Sequence, residues 1–191
     1  MKTRDLTRIS LLTTMIAIGA FIKVPAPVVG SFTLQLTFVI LAGILLGSRN
    51  GAISAAVYAF GGLMGIPWFA SGGGFGYILK PTFGFILAFI AAAYISGAFR
   101  EAAEEKRGYA DVRWVATGAI VSTILVWIIG MLYLAVIYQH VLGTPFGYSA
   151  ALLSIFSPAL LADLILAIVI SGAGVRIYQV VGHKRKGESR S

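Results

Sequence analysis

Asp163 has no acidic company. Of the seven carboxylates in the chain, Asp5, Glu101, Glu104, Glu105, Asp111 and Glu188 fall in hydrophilic or terminal stretches, whereas Asp163 lies inside Pro-Ala-Leu-Leu-Ala-Asp-Leu-Ile-Leu-Ala. A carboxylate at the centre of an apolar helix costs about 2.5–3.5 kcal/mol even on a lenient insertion scale, so such a group is paired, faces a cavity or meets a ligand. Lys80 is the matching oddity, at the start of another apolar run. Either the two form an ion pair between helices, or they are two polar handles for a bound molecule. Other chemistry is poorly supplied. The absence of cysteine removes disulfides, thiolate metal sites and thiol nucleophiles. His140 and His183 are far apart, and neither is placed to activate a serine within an apolar run. No metal site, no catalytic residue and no enzymatic activity is expected.

The elements that must position Asp163 and Lys80 are set by composition. The chain is 58% hydrophobic and 12% charged, with mean hydropathy +0.90, against roughly 45–50% and about 25% in soluble domains. A chain this apolar would expose oily surface to water, so the bilayer is its solvent. Six apolar runs stand out, near 9–22, 34–46, 52–66, 78–99, 114–138 and 150–177, the last containing Pro158. A tight turn at 47–51 and a glycine-rich loop at 66–76 interrupt them. Gly72-Gly73-Gly74 lacks the Lys-Ser/Thr ending of a phosphate loop.

Thirteen of the fifteen Lys and Arg residues fall at the termini, at Arg49 or in the linker 100–113, and only Lys23 and Lys80 fall on the other side. The basic excess, net +8, therefore reads as membrane topology and gives no nucleic-acid footprint. The expectation is an all-α integral membrane protein of six transmembrane helices with both termini cytoplasmic. Residues 1–180 form one membrane domain in the lipid bilayer of the cell membrane, and 181–191 a basic cytoplasmic tail. Lys2, Arg4 and Arg8 precede an uncleaved first helix, because five further runs follow it.

Aromatic residues crowd the half opposite the termini. Tyr138 and Tyr148 read as an interfacial belt, whereas Trp68 and Tyr77, flanking the glycine-rich loop, serve a belt or a pocket wall equally well. Small residues recur four apart at Thr13 and Ala17, Gly43 and Gly47, Ala52 and Ala56, and Gly61 and Gly65, which permits close helix approach.

Taken in order, Ala17-Ile-Gly-Ala, Phe32-Thr-Leu-Gln, Leu41-Ala-Gly-Ile-Leu-Leu-Gly, Gly65-Ile-Pro-Trp-Phe, Gly72-Gly-Gly-Phe-Gly-Tyr and Lys80-Pro-Thr-Phe-Gly-Phe resemble the BioY family, with Gly130-Met-Leu-Tyr-Leu and Asp163 continuing the match. These are biotin-type substrate-binding S components of energy-coupling factor (ECF) transporters. The resemblance implies a six-helix S-component fold, capture of biotin from outside, and docking on a transmembrane T component driven by two ATPase subunits. It implies a ligand site drawn from Asp163, Lys80, Tyr133, Gln35, Trp68, Phe75, Tyr77 and Phe83, and a coupling surface at Thr13 and Ala17. No cofactor is implied beyond the transported vitamin. Two departures stand against the family pattern: Leu166 occupies the place of a usual lysine three residues after the aspartate, and Lys80 that of a neutral polar residue. They leave open another acid such as lipoate as the ligand, or a membrane subunit with no transport role. With Lys23 read as a solvated loop residue, Lys80 is the expected partner of a ligand carboxylate.

Overall fold

The computed structural model describes residues 3–26, 30–143 and 158–188. Among them are six α-helices and one small hairpin: α1 (Thr3–Phe21), β1 (Lys23–Ala26), β2 (Gly30–Thr33), α2 (Gln35–Leu46), α3 (Ser48–Leu63), α4 (Phe83–Arg107), α5 (Val112–His140) and α6 (Pro158–Glu188). Tyr148 and the beginning of the sixth apolar run, 150–157, lie outside the described residues.

α4, α5 and the 158–181 part of α6 are long and apolar enough to cross a membrane. Their outward faces show why. On α5, Val121, Ile124, Ile128, Leu132 and Val136 recur at helical spacing and are exposed, as are Leu161, Ile165, Ile168 and Val169 on α6. A stripe of this kind suits lipid and not water. α2 differs: its twelve residues rise only about 18 Å, and Val39, Ile40 and Ile44 are fully buried. It is the central helix, packed against α1, α3, α4 and α6.

Glycine makes that centre possible. Gly47 ends α2 and begins α3 at φ +87°, a conformation costly for any residue with a side chain. A Cβ on Gly43 would overlap Ser96 and the Ala93 carbonyl of α4, so α2 and α4 meet backbone to backbone.

The structure revises two sequence readings and decides a third. The fourth run begins with a single 3₁₀ turn, Phe75–Leu79, and α4 starts only at Phe83. Lys80 is extended and Pro81 follows it, so the helix cannot continue backwards through them. Residues 23–26 and 30–33, read as loop, pair antiparallel with Lys23 opposite Thr33. The glycine-rich loop, read as flexible or close-packed, is close-packed: Trp68 Nε1 donates to the Tyr58 carbonyl at 2.9 Å, and Phe69, 1% exposed, exchanges backbone bonds with Gly72.

Candidate functional site

The start of α2 brings Gln35 beneath the hairpin, and the 66–76 segment folds back over α3. Between these elements and α4–α6 lies a cavity of about 290 Å³, at the lower end of the range that holds small ligands. Asp163 of α6 and Trp127 and Val126 of α5 form one part of its wall, with Phe85, Ile86 and Phe89 of α4 beside them. Gln35 and Tyr77 form another part, and Lys23, Thr33 and Ser71 a third.

Asp163 is 7% exposed, and its Oδ2 accepts a hydrogen bond from Trp127 Nε1 at 2.9 Å. Its other oxygen, Oδ1, is buried with no hydrogen-bond partner among the described residues. Burying an acceptor in this way costs free energy unless something supplies a donor. Phe85 meets Trp127 edge to face, 5.9 Å between ring centroids, and fixes the indole that orients the carboxylate.

Gln35 is buried and largely committed. Its Oε1 accepts from Thr33 Oγ1 at 2.9 Å, and its Nε2 donates to the Tyr58 hydroxyl at 2.5 Å. That hydroxyl donates in turn to the Trp68 carbonyl at 3.3 Å. A side-chain amide carries two N–H groups, so one remains for an acceptor in the cavity. The relay ties the hairpin, α2, α3 and the 66–76 segment into one frame.

Of the eight residues expected at a ligand site, Asp163, Gln35 and Tyr77 line the cavity. The others stand elsewhere. Phe83 and Trp68 belong to an aromatic row that backs the wall: Trp68 stacks on Tyr58, and Tyr58, Phe69, Tyr77, Phe83 and Tyr133 follow with successive centroids 5.3, 4.6, 6.5 and 6.0 Å apart. Tyr133 also donates to the Ile78 carbonyl at 2.5 Å and holds the 3₁₀ turn. Phe75 is 77% exposed.

Lys80 does not reach Asp163. Its Nζ donates to the Ser71 carbonyl at 2.8 Å and lies 4.7 Å from the Tyr77 ring centroid, outside the cavity wall. The Asp163–Lys80 ion pair entertained from sequence is therefore not formed; the three ion pairs among the described residues all join Arg100 or Arg107 to nearby acids. The geometry instead turns Lys23, set aside as solvated, toward the cavity.

Thr13 and Ala17 are 3% and 7% exposed, and Thr13 Oγ1 donates to the Ser54 carbonyl at 3.0 Å. The small residues of α1 thus pack it against α3 in this conformation, and the pair presents no open surface. Trp127 and Tyr58 escaped the sequence reading, and Thr33 entered it only within the motif Phe32-Thr-Leu-Gln and not as a site residue. A tryptophan in the middle of α5, far from either interface, was the one available signal.

The BioY family model matches residues 1–183. A probable biotin transporter BioY of Lysinibacillus sphaericus is 37% identical over 179 residues, covering 94% of this chain and 89% of that protein. The biotin transporter BioY of Thermotoga maritima is 33% identical over 132 residues, 69% of this chain and 74% of that protein. The crystal structure of the S component for biotin from an ECF-type ABC transporter superposes with a TM-score of 0.65 at 21% identity, covering 94% of this chain and 95% of the other. A second S component, of a bacterial ECF transporter, superposes at 0.53 with 19% identity, covering 97% and 99%. With a family match over nearly its whole length and this helical frame, the chain belongs to the BioY family and has the S-component fold.

Proposed function

We propose that this chain is the biotin-binding S component of an ECF transporter, a multi-pass protein of the cell membrane. It takes the vitamin from outside and docks on a T component powered by two ATPase subunits; no catalytic step is assigned to the chain itself. The observation that carries the substrate is Asp163, whose side chain lines a small cavity of mixed polar and apolar walls and whose Oδ1 has no hydrogen-bond partner among the described residues. It calls for a ligand with a strong N–H donor and a compact apolar body. The ureido ring of biotin offers two such donors, and a hydrogen bond to a carboxylate is the stronger, charge-assisted kind. The dithiolane ring of lipoate offers none. The names of the relatives point the same way.

In this reading Asp163 and Gln35 hold the ureido group, and Tyr77, Trp127 and Phe85 enclose the ring. Trp68, Phe83 and Tyr133 keep those walls in place, Lys80 holds the 66–76 segment through Ser71, and Phe75 stands at the rim. Titration of the purified protein with biotin and with lipoate tests the substrate. Biotin is expected to bind and lipoate to fail; lipoate binding as tightly, or biotin failing, would overturn the reading.

Six crossings are proposed, one for each apolar run, with the short α2 completing its passage together with the hairpin that leads into it, and both termini cytoplasmic, as the 13-to-2 distribution of Lys and Arg supports. Glu105 is separated from Phe83 at the cavity end of α4 by about 33 Å of helix rise. Cysteines replacing Ser71 and Glu105 should therefore label from opposite sides of the membrane. Labelling of both from one side would refute the topology.

A further inference from the structure

The cavity wall carries one cation and one anion among its described residues, Lys23 and Asp163. They occupy different depths. Lys23 is exposed and opens β1 directly after α1. Asp163 is 7% exposed and bonded to Trp127, more than three helical turns inside the end of α5 at His140. The backbone fixes the position of Lys23. It pairs with Thr33 across the hairpin, and directly opposed residues project from the same face of a two-stranded ribbon. Thr33 bonds Gln35, so Lys23 is carried to the mouth of the same cavity that Gln35 lines. No hydrogen bond or ion pair among the described residues occupies its ammonium group. Lys80, the other cation at this end, is held on the Ser71 carbonyl.

We propose that Lys23 receives the carboxylate of the ligand's aliphatic tail and so sets both the specificity for the free acid and the orientation of the bound molecule. The inference rests on the biotin reading and adds a residue to it. A ligand bearing N–H donors at one end and a carboxylate at the other meets an acceptor in the depth of the cavity and a cation at its mouth. The reverse orientation would set its carboxylate against Asp163, and two like charges in a water-poor site repel strongly. At the exposed mouth the Lys23 contribution is moderated by solvent, so it discriminates between tails without dominating affinity.

The test compares biotin with its uncharged amide on the purified full chain in lipid nanodiscs. The intact protein should prefer the acid by about tenfold, equivalent to ~1.4 kcal/mol. Lys23→Met should erase that preference by weakening the acid alone, with unchanged affinity for the amide reporting an intact fold, and Lys23→Arg should retain it. Lys80→Met should shift acid and amide by the same factor. The proposal is overturned if the intact protein shows no acid preference, if Lys23→Met keeps the preference or weakens both ligands equally, or if Lys80→Met is the variant that erases it. An intact protein that binds neither molecule overturns the biotin reading itself, and this inference with it.

Discussion

Three charged side chains are buried among the described residues; Asp111 is paired with Arg107 at the α4–α5 turn, and the other two, Arg100 and Asp163, have surroundings that differ in kind. Arg100 lies three turns beyond the cavity-lining part of α4 and is 6% exposed. Its Nη1 donates to Glu104 at 2.7 Å and to the Tyr178 hydroxyl at 3.0 Å, and its guanidinium lies 4.5 Å from the Tyr178 ring centroid. Glu101, 3.6 Å from Nη2, accepts from both the amide and the hydroxyl of Ser48 and so fastens the α2–α3 corner to α4. Although its Nε has no described partner, the charge is compensated by two carboxylates. Among the described residues Asp163 has no opposite charge, one neutral donor and one bare oxygen, and its side chain lines a cavity. A compensated buried charge holds elements together; an uncompensated one beside empty space is kept for something that arrives.

The largest test of that contrast is Arg100→Met. It strips Glu104 and Tyr178 of their partner at the junction of α4 and α6. Removing one member of a fully buried pair costs about 3–5 kcal/mol, and with Glu104 still 31% exposed to solvent roughly 2–3 kcal/mol is expected. Thermal unfolding of the purified protein should register the loss, while biotin affinity in the folded fraction stays unchanged. Loss of affinity with stability intact would dissolve the distinction between the two regions.

Asp163→Asn should do the reverse. The shape is kept, one acceptor becomes a donor, and affinity falls by an order of magnitude or more, on the basis of about 1.5–3 kcal/mol for a hydrogen bond to a charged group. The ligand-free protein should be equally or more stable, because an uncompensated carboxylate has been replaced by a neutral amide. A variant that binds normally but unfolds more easily would make Asp163 a structural residue like Arg100.

Tyr58→Phe probes the frame between the two extremes. The ring and its stacking remain, but Gln35 Nε2 and the Trp68 carbonyl lose the hydroxyl that joins them. Leaving a buried donor unmatched costs about 1–2 kcal/mol. Because Gln35 is also a wall of the cavity, affinity and stability should both fall, each by less than in the preceding variants. A change in one alone would assign the relay to either region and not to both.

How much of this is legible in the sequence varies with the reach of the signal. The long apolar run at 114–138 announces α5 to within two residues, since membrane spanning depends on local composition, whereas α4 starts five residues inside its run and continues eight residues past it into the charged segment. The lone carboxylate at 163 also announces itself, because its cost is independent of its neighbours. Its partner does not: Trp127 stands 36 residues away on another helix, and no spacing within either helix encodes the contact. The exchange of Lys80 for Lys23 has the same origin. Lys80 is turned aside by a backbone carbonyl, and Lys23 is brought in by strand pairing across a segment whose prolines and glycine disguise it as loop. At Thr13 and Ala17 the four-residue period of small side chains announces a close approach, but not whether the approaching helix is the chain's own.

That last ambiguity yields the smallest effect. In this conformation the Thr13 hydroxyl donates to the Ser54 carbonyl across the α1–α3 seam. The carbonyl also accepts the ordinary helical bond of α3, so Thr13→Val removes a supplementary interaction and should lower stability by only about 0.5 kcal/mol. Biotin binding should not change, because neither residue lines the cavity. If α1 stays packed on α3 while the energising module docks, uptake by cells should be equally unaffected. Should Thr13→Val abolish uptake while folding and binding persist, the hydroxyl must be presented to a partner in the working complex. The seam would then open during transport, and a third region, dedicated to coupling, would have to be set beside the compensated and the uncompensated ones.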